Sequence, residues 1–193
     1  HAVQPSGACI EGHFFRGQLK SDSMYLDIET TGLSPTRNQT TTIVWWSAAQ
    51  NWGHWIAGEN APEQFCEAWQ ASSELITYNG KRFDEPFLVE HFGVEKHSDH
   101  TDLCQVSRKQ GLRGGLKKIC ENLQIRSPAY LNESSGRDAV FLWRRYQREG
   151  NSLWLKRLLH YNAWDVVMTY RLHQILQNEP IVAIEQTMPF ERA

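Results

Sequence analysis

This sequence has no excess of either charge. It carries 20 Lys and Arg against 22 Asp and Glu, a formal net charge of −2. So even a balance sets up no broad basic field to attract polyanions. A carboxylate-lined metal site, however, would itself add negative charge that its ions later neutralise. Cysteine is sparse and scattered. Cys9, Cys66, Cys104 and Cys120 form no Cys-x-x-Cys pair, which argues against a zinc site and fits reduced thiols in a cytoplasmic protein. No apolar run approaches the ~20 residues that span a bilayer, so no membrane partner is expected. No signal peptide is visible, and there is no internal repeat or low-complexity block. The first residue is His1 rather than Met, so the chain is expected to be processed, tagged or cut from something longer. What is present is ordinary globular material: 193 residues, 40% apolar and 22% charged, enough for one domain with a sizeable core. Eight Trp are many, and most are expected in the core or on packed faces.

Along the chain, residues 1–20 show little periodicity and are expected to be an arm, partly ordered, with an edge strand around His13–Phe15 as the alternative. Met24–Glu29 reads as a first strand. Thr41–Ser47, β-branched and aromatic, reads as a second. A turn is predicted at Asn51-Trp52-Gly53, followed by a third strand over 54–57. Pro62 opens a helix to about residue 71. Leu75–Tyr78 is a fourth strand ending at the Asn79-Gly80 turn. A helix follows over 83–92, then a short strand or strand end at Thr101–Leu103. Helical patterns recur near 115–123, 138–149 and 152–177, and the stretch from Pro180 carries no clear pattern. Three adjacent strands followed by alternating helix and strand predict an α/β mixed sheet with helices on its faces. The domain is expected to cover residues 21–178, with a C-terminal tail over 179–193.

Three segments carry chemistry. Asp27-Ile28-Glu29 ends the first strand, and residues two apart in a strand point to the same face. Their like charges need compensation, which hard divalent cations supply. Asp84, after Asn79-Gly80-Lys81-Arg82-Phe83, follows a strand and opens a helix, where a carboxylate also simply favours the helix dipole. Tyr161 and Asp165 are i and i+4 on the last helix and share a face with Leu158, Thr169, Leu172 and Leu176. An Asp on such an apolar stripe needs a partner or a metal.

Asp27-x-Glu29, Asn79-x-x-x-Phe83-Asp84 and Tyr161-x-x-x-Asp165, in this order over residues 24–177, resemble the three exonuclease motifs of the DEDD (DnaQ-like) superfamily. More narrowly, Ile28–Pro35, Tyr78–Asp84, Thr101–Leu103, Ser135-Gly136 and Tyr161-Asn162-x-x-Asp165-Val166 resemble the YprB-like ribonuclease H-like group. The resemblance implies a ribonuclease H-like fold, with the first three strands antiparallel and helices on both faces of the sheet. It also implies a metal-dependent 3′→5′ exonuclease that hydrolyses the 3′ end of single-stranded DNA or RNA with two Mg2+ or Mn2+ ions. By that resemblance Asp27, Glu29 and Asp165 hold one metal, Asp27 touches a second, and Asp84 supports the second, partly through water. Tyr161 would orient the attacking water. His160 also satisfies a His-x-x-x-x-Asp spacing. On a continuous helix, though, it lies ~140° from Asp165, against ~40° for Tyr161.

The resemblance further implies that Leu33 packs against a terminal base, where a core leucine is the alternative. Thr30 is a further expected substrate contact in the same turn, and Gly32 would allow close backbone approach to a substrate. Asn79 is a substrate contact or plain turn chemistry. Basic clusters at Arg108-Lys109, Arg113, Lys117-Lys118, Arg144-Arg145-Arg148 and Lys156-Arg157 could track a phosphate backbone or be solvated helix faces. Two other readings stay open: a catalytically silent binding module of the same fold, and a proofreading-type domain excised from a larger enzyme.

Overall fold

The structure, a computed structural model, describes residues 22–128 and 136–190. The expected arm over 1–20, Cys9 and Ser135 lie outside these residues.

Strand β1 (Ser23–Thr30) alternates Met24, Leu26 and Ile28 with Tyr25, Asp27 and Glu29, which gives it two unlike faces. β2 (Thr40–Ser47) and β3 (Asn51–Ile56) continue antiparallel as a meander. After helix α1 (Glu63–Ala71), β4 (Glu74–Thr77) pairs parallel with the other edge of β1. Helix α2 (Asp84–Phe92) then leads to β5 (His100–Asp102), parallel to β4. The sheet order is β3-β2-β1-β4-β5. It is the mixed sheet that the resemblance implies, with β1 at its centre. Helices α3 (Leu103–Lys109), α4 (Leu116–Asn122), α5 (Gly136–Glu149) and α6 (Ser152–Gln177) follow, then a 3-10 turn at Ile184–Thr187.

Each face of the sheet has its own core. Met24, Leu26, Ile28, Ile43 and Trp45 pack on Phe65 and Trp69 of α1 and on Phe87 and Leu88 of α2. Tyr25, Val44 and Ile76 face the opposite way, onto Leu158, Val166 and Tyr170 of α6. Asp27 and Glu29 extend the second face towards the strand end. There the register slips: Glu29 pairs with Thr42 and Thr30 with Thr40, so Thr41 is an extra residue on β2. Bulges of this kind bend a strand end and re-aim its side chains.

The structure differs from the sequence pattern at three places. The turn predicted at Asn51–Gly53 falls at residues 48–50, and β3 already begins at Asn51. Gly53 sits within the strand because the Trp45 indole occupies the space a Cβ would need, 2.2 Å from where that atom would lie. α3 went unpredicted. It is one short stretch started by Asp102, whose side chain caps the Cys104 N–H. The patternless stretch after Pro180 folds back on the domain. Ile184 is buried and accepts a hydrogen bond from Trp52 Nε1 through its carbonyl (3.1 Å). No helix among the described residues is long and apolar enough to cross a membrane.

Candidate active site

The carboxyl ends of the three parallel strands converge, and α6 crosses the face on which Asp27 and Glu29 lie. One oxygen each from Asp27, Glu29 and Asp165 lie within 4.8 Å of one another. Local structure dictates the contribution of each element. β1 presents its two acids on one side through the strand period. α6 runs unbroken through residues 158–169, so Tyr161 and Asp165 share its inward face.

Electrostatics reveals the strain of this cluster. Burial, then Asp165, Asp84 and Glu29, push the Asp27 carboxyl well above its ordinary range. Burial, then Asp165 and Asp84, do the same to Glu29. Burial raises Asp165 to about 6, and Lys117 opposes that rise. Packing three buried or half-buried carboxylates together disfavours their charged forms unless a cation joins them. The three oxygens are close enough together for one divalent cation to be held among them once the side chains adjust. An all-oxygen donor set suits a hard cation.

Asp84 occupies a different position. It lies close enough for its charge to act on Asp27 and Glu29, but its Oδ1 accepts the Ile28 N–H at 3.2 Å. Burial raises its carboxyl to about 7, against the pull of the Asp84 and Ile28 backbone N–H groups. Asp84 therefore bridges β1 and the start of α2 from beside the trio.

Two further residues organise the site. Asn162, fully buried, donates from Nδ2 to Asp27 Oδ2 (2.5 Å), while its Oδ1 accepts the Thr42 hydroxyl (3.0 Å). The Thr42 hydroxyl can donate only to the amide oxygen, and this sets the amide so that its NH2 faces Asp27. Lys117, at the start of α4, donates from Nζ to the Tyr161 hydroxyl (3.1 Å) and lies 4.4 Å above its ring. Its charge favours ionised Glu29 and Asp165. The loop ahead of α4 is tied down by Tyr78, whose hydroxyl donates to the Gly114 carbonyl (2.6 Å). The only sequence signal for Lys117 was its basic cluster. For Asn162 it was its place in the Tyr161-Asn162-x-x-Asp165 pattern.

Tyr161 and His160 point to different places. The Tyr161 phenol lies beside the carboxylates, and burial, then Asp165, Glu29 and Asp27, push it above its ordinary range. It stays protonated at neutral pH. His160 faces the C-terminal stretch. Its Nε2 accepts the Trp164 indole N–H (3.1 Å), which leaves the ring proton on Nδ1 to donate to the Phe190 carbonyl (2.8 Å).

The expected substrate contacts divide. Leu33 is 86% exposed and not part of the core. It lines a cavity of about 780 Å³ that also touches Glu29, Thr30 and Gly32. Thr30 is buried, with its hydroxyl donated to the Gly32 carbonyl (2.6 Å). The close approach that Gly32 permits is to Asn38, whose side chain would lie 2.6 Å from a Cβ. Asn79 adopts φ 67°, a left-handed conformation that Asn tolerates, and its N–H donates to Asp102 Oδ1 (2.8 Å). Its backbone thus serves the turn.

Residues 24–177 match the RNase_H superfamily. A family B DNA polymerase from the hyperthermophilic archaeon Pyrobaculum calidifontis superposes with a TM-score of 0.66 at 15% identity, covering 80% of this chain and 24% of the polymerase. This likeness is one of fold. A structure described as the apo form of a nuclease aligns with a TM-score of 0.46 at 20% identity, over 89% of this chain and 90% of that one. No curated protein matches the sequence.

Proposed function

The chain belongs to the RNase_H superfamily, and from that premise we propose that it is a metal-dependent 3′→5′ exonuclease of the tyrosine branch of the DEDD group, acting on single-stranded DNA or RNA. The observation that carries this reading is the meeting of Asp27, Glu29 and Asp165 within 4.8 Å beside a protonated Tyr161 phenol. Asp27, Glu29 and Asp165 would hold one Mg2+ or Mn2+, and Asp27 with Asp84 a second. Such cations supply acidification of water and neutralisation of phosphate charge.

The remaining work falls to the protein's own groups. Asn162 holds Asp27 in one rotamer, so its second oxygen stays aimed at the cluster. Asp84 ties α2 to β1 through the Ile28 N–H and fixes the separation of the two acidic elements. The Tyr161 hydroxyl orients the attacking water by hydrogen bonding and does not act as base, because its neighbours keep it protonated. Lys117 occupies one lone pair of that hydroxyl, leaving its proton and remaining lone pair for the water.

The test uses 5′-labelled single-stranded RNA and DNA with Mg2+, Mn2+ or EDTA, in parallel with Asp27→Ala. Products shortening stepwise from the 3′ end, dependent on metal and lost in the variant, are expected. A folded protein that cleaves neither strand in either metal would move the reading to a binding module.

A further inference from the structure

The wall of the cavity opposite the carboxylates takes no part in the chemistry above. Leu33 and Phe83 border it from the β1 turn and the start of α2, Arg137, Val140 and Arg144 border it from α5, and Glu29 reaches into it. On a helix, positions 137, 140 and 144 (i, i+3 and i+7) share one face. Both arginines are exposed, and neither forms an ion pair with a carboxylate among the described residues. Arg145, on the flank of the same helix, and Arg148, one turn beyond Arg144 on the same face, both pair with Glu149. The cavity thus sets an apolar wall against a row of two cations in a chain whose net charge is −2. A ligand matching this pattern has a flat apolar side and a regularly charged anionic side. Single-stranded nucleic acid has both: bases for Leu33 and Phe83, phosphates for the arginines.

We propose that Arg137 and Arg144 form a backbone-binding rail that grips a single strand outside the carboxylate cluster and sets how long a substrate must be. This deepens the nuclease reading and rests on it for the identity of the strand's inner end. Seven helical residues span about 10.5 Å, or about three nucleotide steps at a rise of ~3.4 Å. Strands of more than about three nucleotides engage the full rail, and shorter ones lose one contact.

Two measurements test it on Arg137→Ala/Arg144→Ala. The first is binding of a fluorescein-labelled strand of about 12 nucleotides in Ca2+ across a salt series. The second is turnover of that strand and of bis(p-nitrophenyl) phosphate, a diester too small to reach the rail. The slope of log affinity against log salt is expected to shrink by about 1.4, two contacts at ~0.7 each. KM for the strand should rise roughly tenfold or more, with kcat on the small diester unchanged. Arg137→Lys/Arg144→Lys should recover the slope, which separates lost charge from lost folding. An unchanged slope would overturn the rail, as would an equal loss in Lys96→Ala/Lys109→Ala, which removes two exposed cations that do not line this cavity. Arginine-dependent binding without cleavage by the wild type in any metal would support the rail and refute the nuclease reading. Cleavage unaffected by the double substitution would do the reverse.

Discussion

The two faces of β1 are built for different ends. Met24, Leu26 and Ile28 enter a core of Phe65, Trp69, Phe87 and Leu88 that is apolar throughout. One residue out of step, Tyr25 packs on Tyr170 and His173, and then Asp27 and Glu29 meet Asp165. The first face gains stability with every side chain it buries. The second spends stability at its upper end, where desolvated carboxylates crowd together and Lys117 and Asn162 offset them in part. Substitutions on the first face should therefore damage the fold, and those on the second should damage function while sparing or even helping the fold.

The sharpest way to break this contrast is Asp27→Ala or Asp165→Asn. Cleavage is expected to fall by about 10²–10³-fold or more, measured on labelled strands in Mg2+. The thermal midpoint in EDTA should hold or rise. A large fall in the midpoint of Asp165→Asn would show that the carboxylate is structural.

Next comes Phe87→Ala, on the apolar face. A cost of about 3–5 kcal/mol is expected from lost burial and the cavity left behind, read from denaturant unfolding. The fraction that remains folded should keep its kcat.

Asn162→Ala tests the boundary between the two behaviours. It frees Asp27 and leaves the buried Thr42 hydroxyl without its acceptor. Divalent-cation affinity should weaken about 10–100-fold, measured by titration calorimetry, with a loss of about 1–3 kcal/mol in stability.

The smallest effect is a pH dependence. Asp84 and Asp165 titrate at about 7 and about 6 in the fold, above the ordinary carboxyl range. A raised carboxyl pKa means that the folded state holds protons the unfolded chain has released. The metal-free protein therefore keeps this contribution below about pH 4 and loses it as the pH rises through 6 and 7. In EDTA, Asp165→Asn should gain on the wild type by on the order of 2 kcal/mol between pH 4 and 7. Saturating Mg2+ should close that gap. Parallel stability curves for the two proteins would rule out burial of the Asp165 carboxyl as the cause.

Much of this was legible in the chain itself. The alternation from Met24 to Glu29 specifies a strand and puts both acids on one face, because a strand has a period of two. The spacing of Leu158, Tyr161, Asp165, Thr169 and Leu172 specifies an inward helical stripe, because a helix has a period of 3.6. These are local properties, decided by backbone geometry and by which side chains avoid water. Local signals were weaker at Gly53, where a strand glycine looks like a turn until the Trp45 indole is seen in its place. They were weaker again at α3, a helix of seven residues with little room for periodicity.

What tertiary structure alone decided is which partners those faces meet. Asn162 finds Asp27 across 135 residues of sequence, and Lys117 finds Tyr161 across 44. Arg137 and Arg144 come to face Leu33 and Phe83 only because α5 packs beside the end of β1. No periodicity encodes such meetings. They arise when distant elements bury their apolar faces on a common sheet, and the polar groups carried along must then satisfy one another or await a ligand.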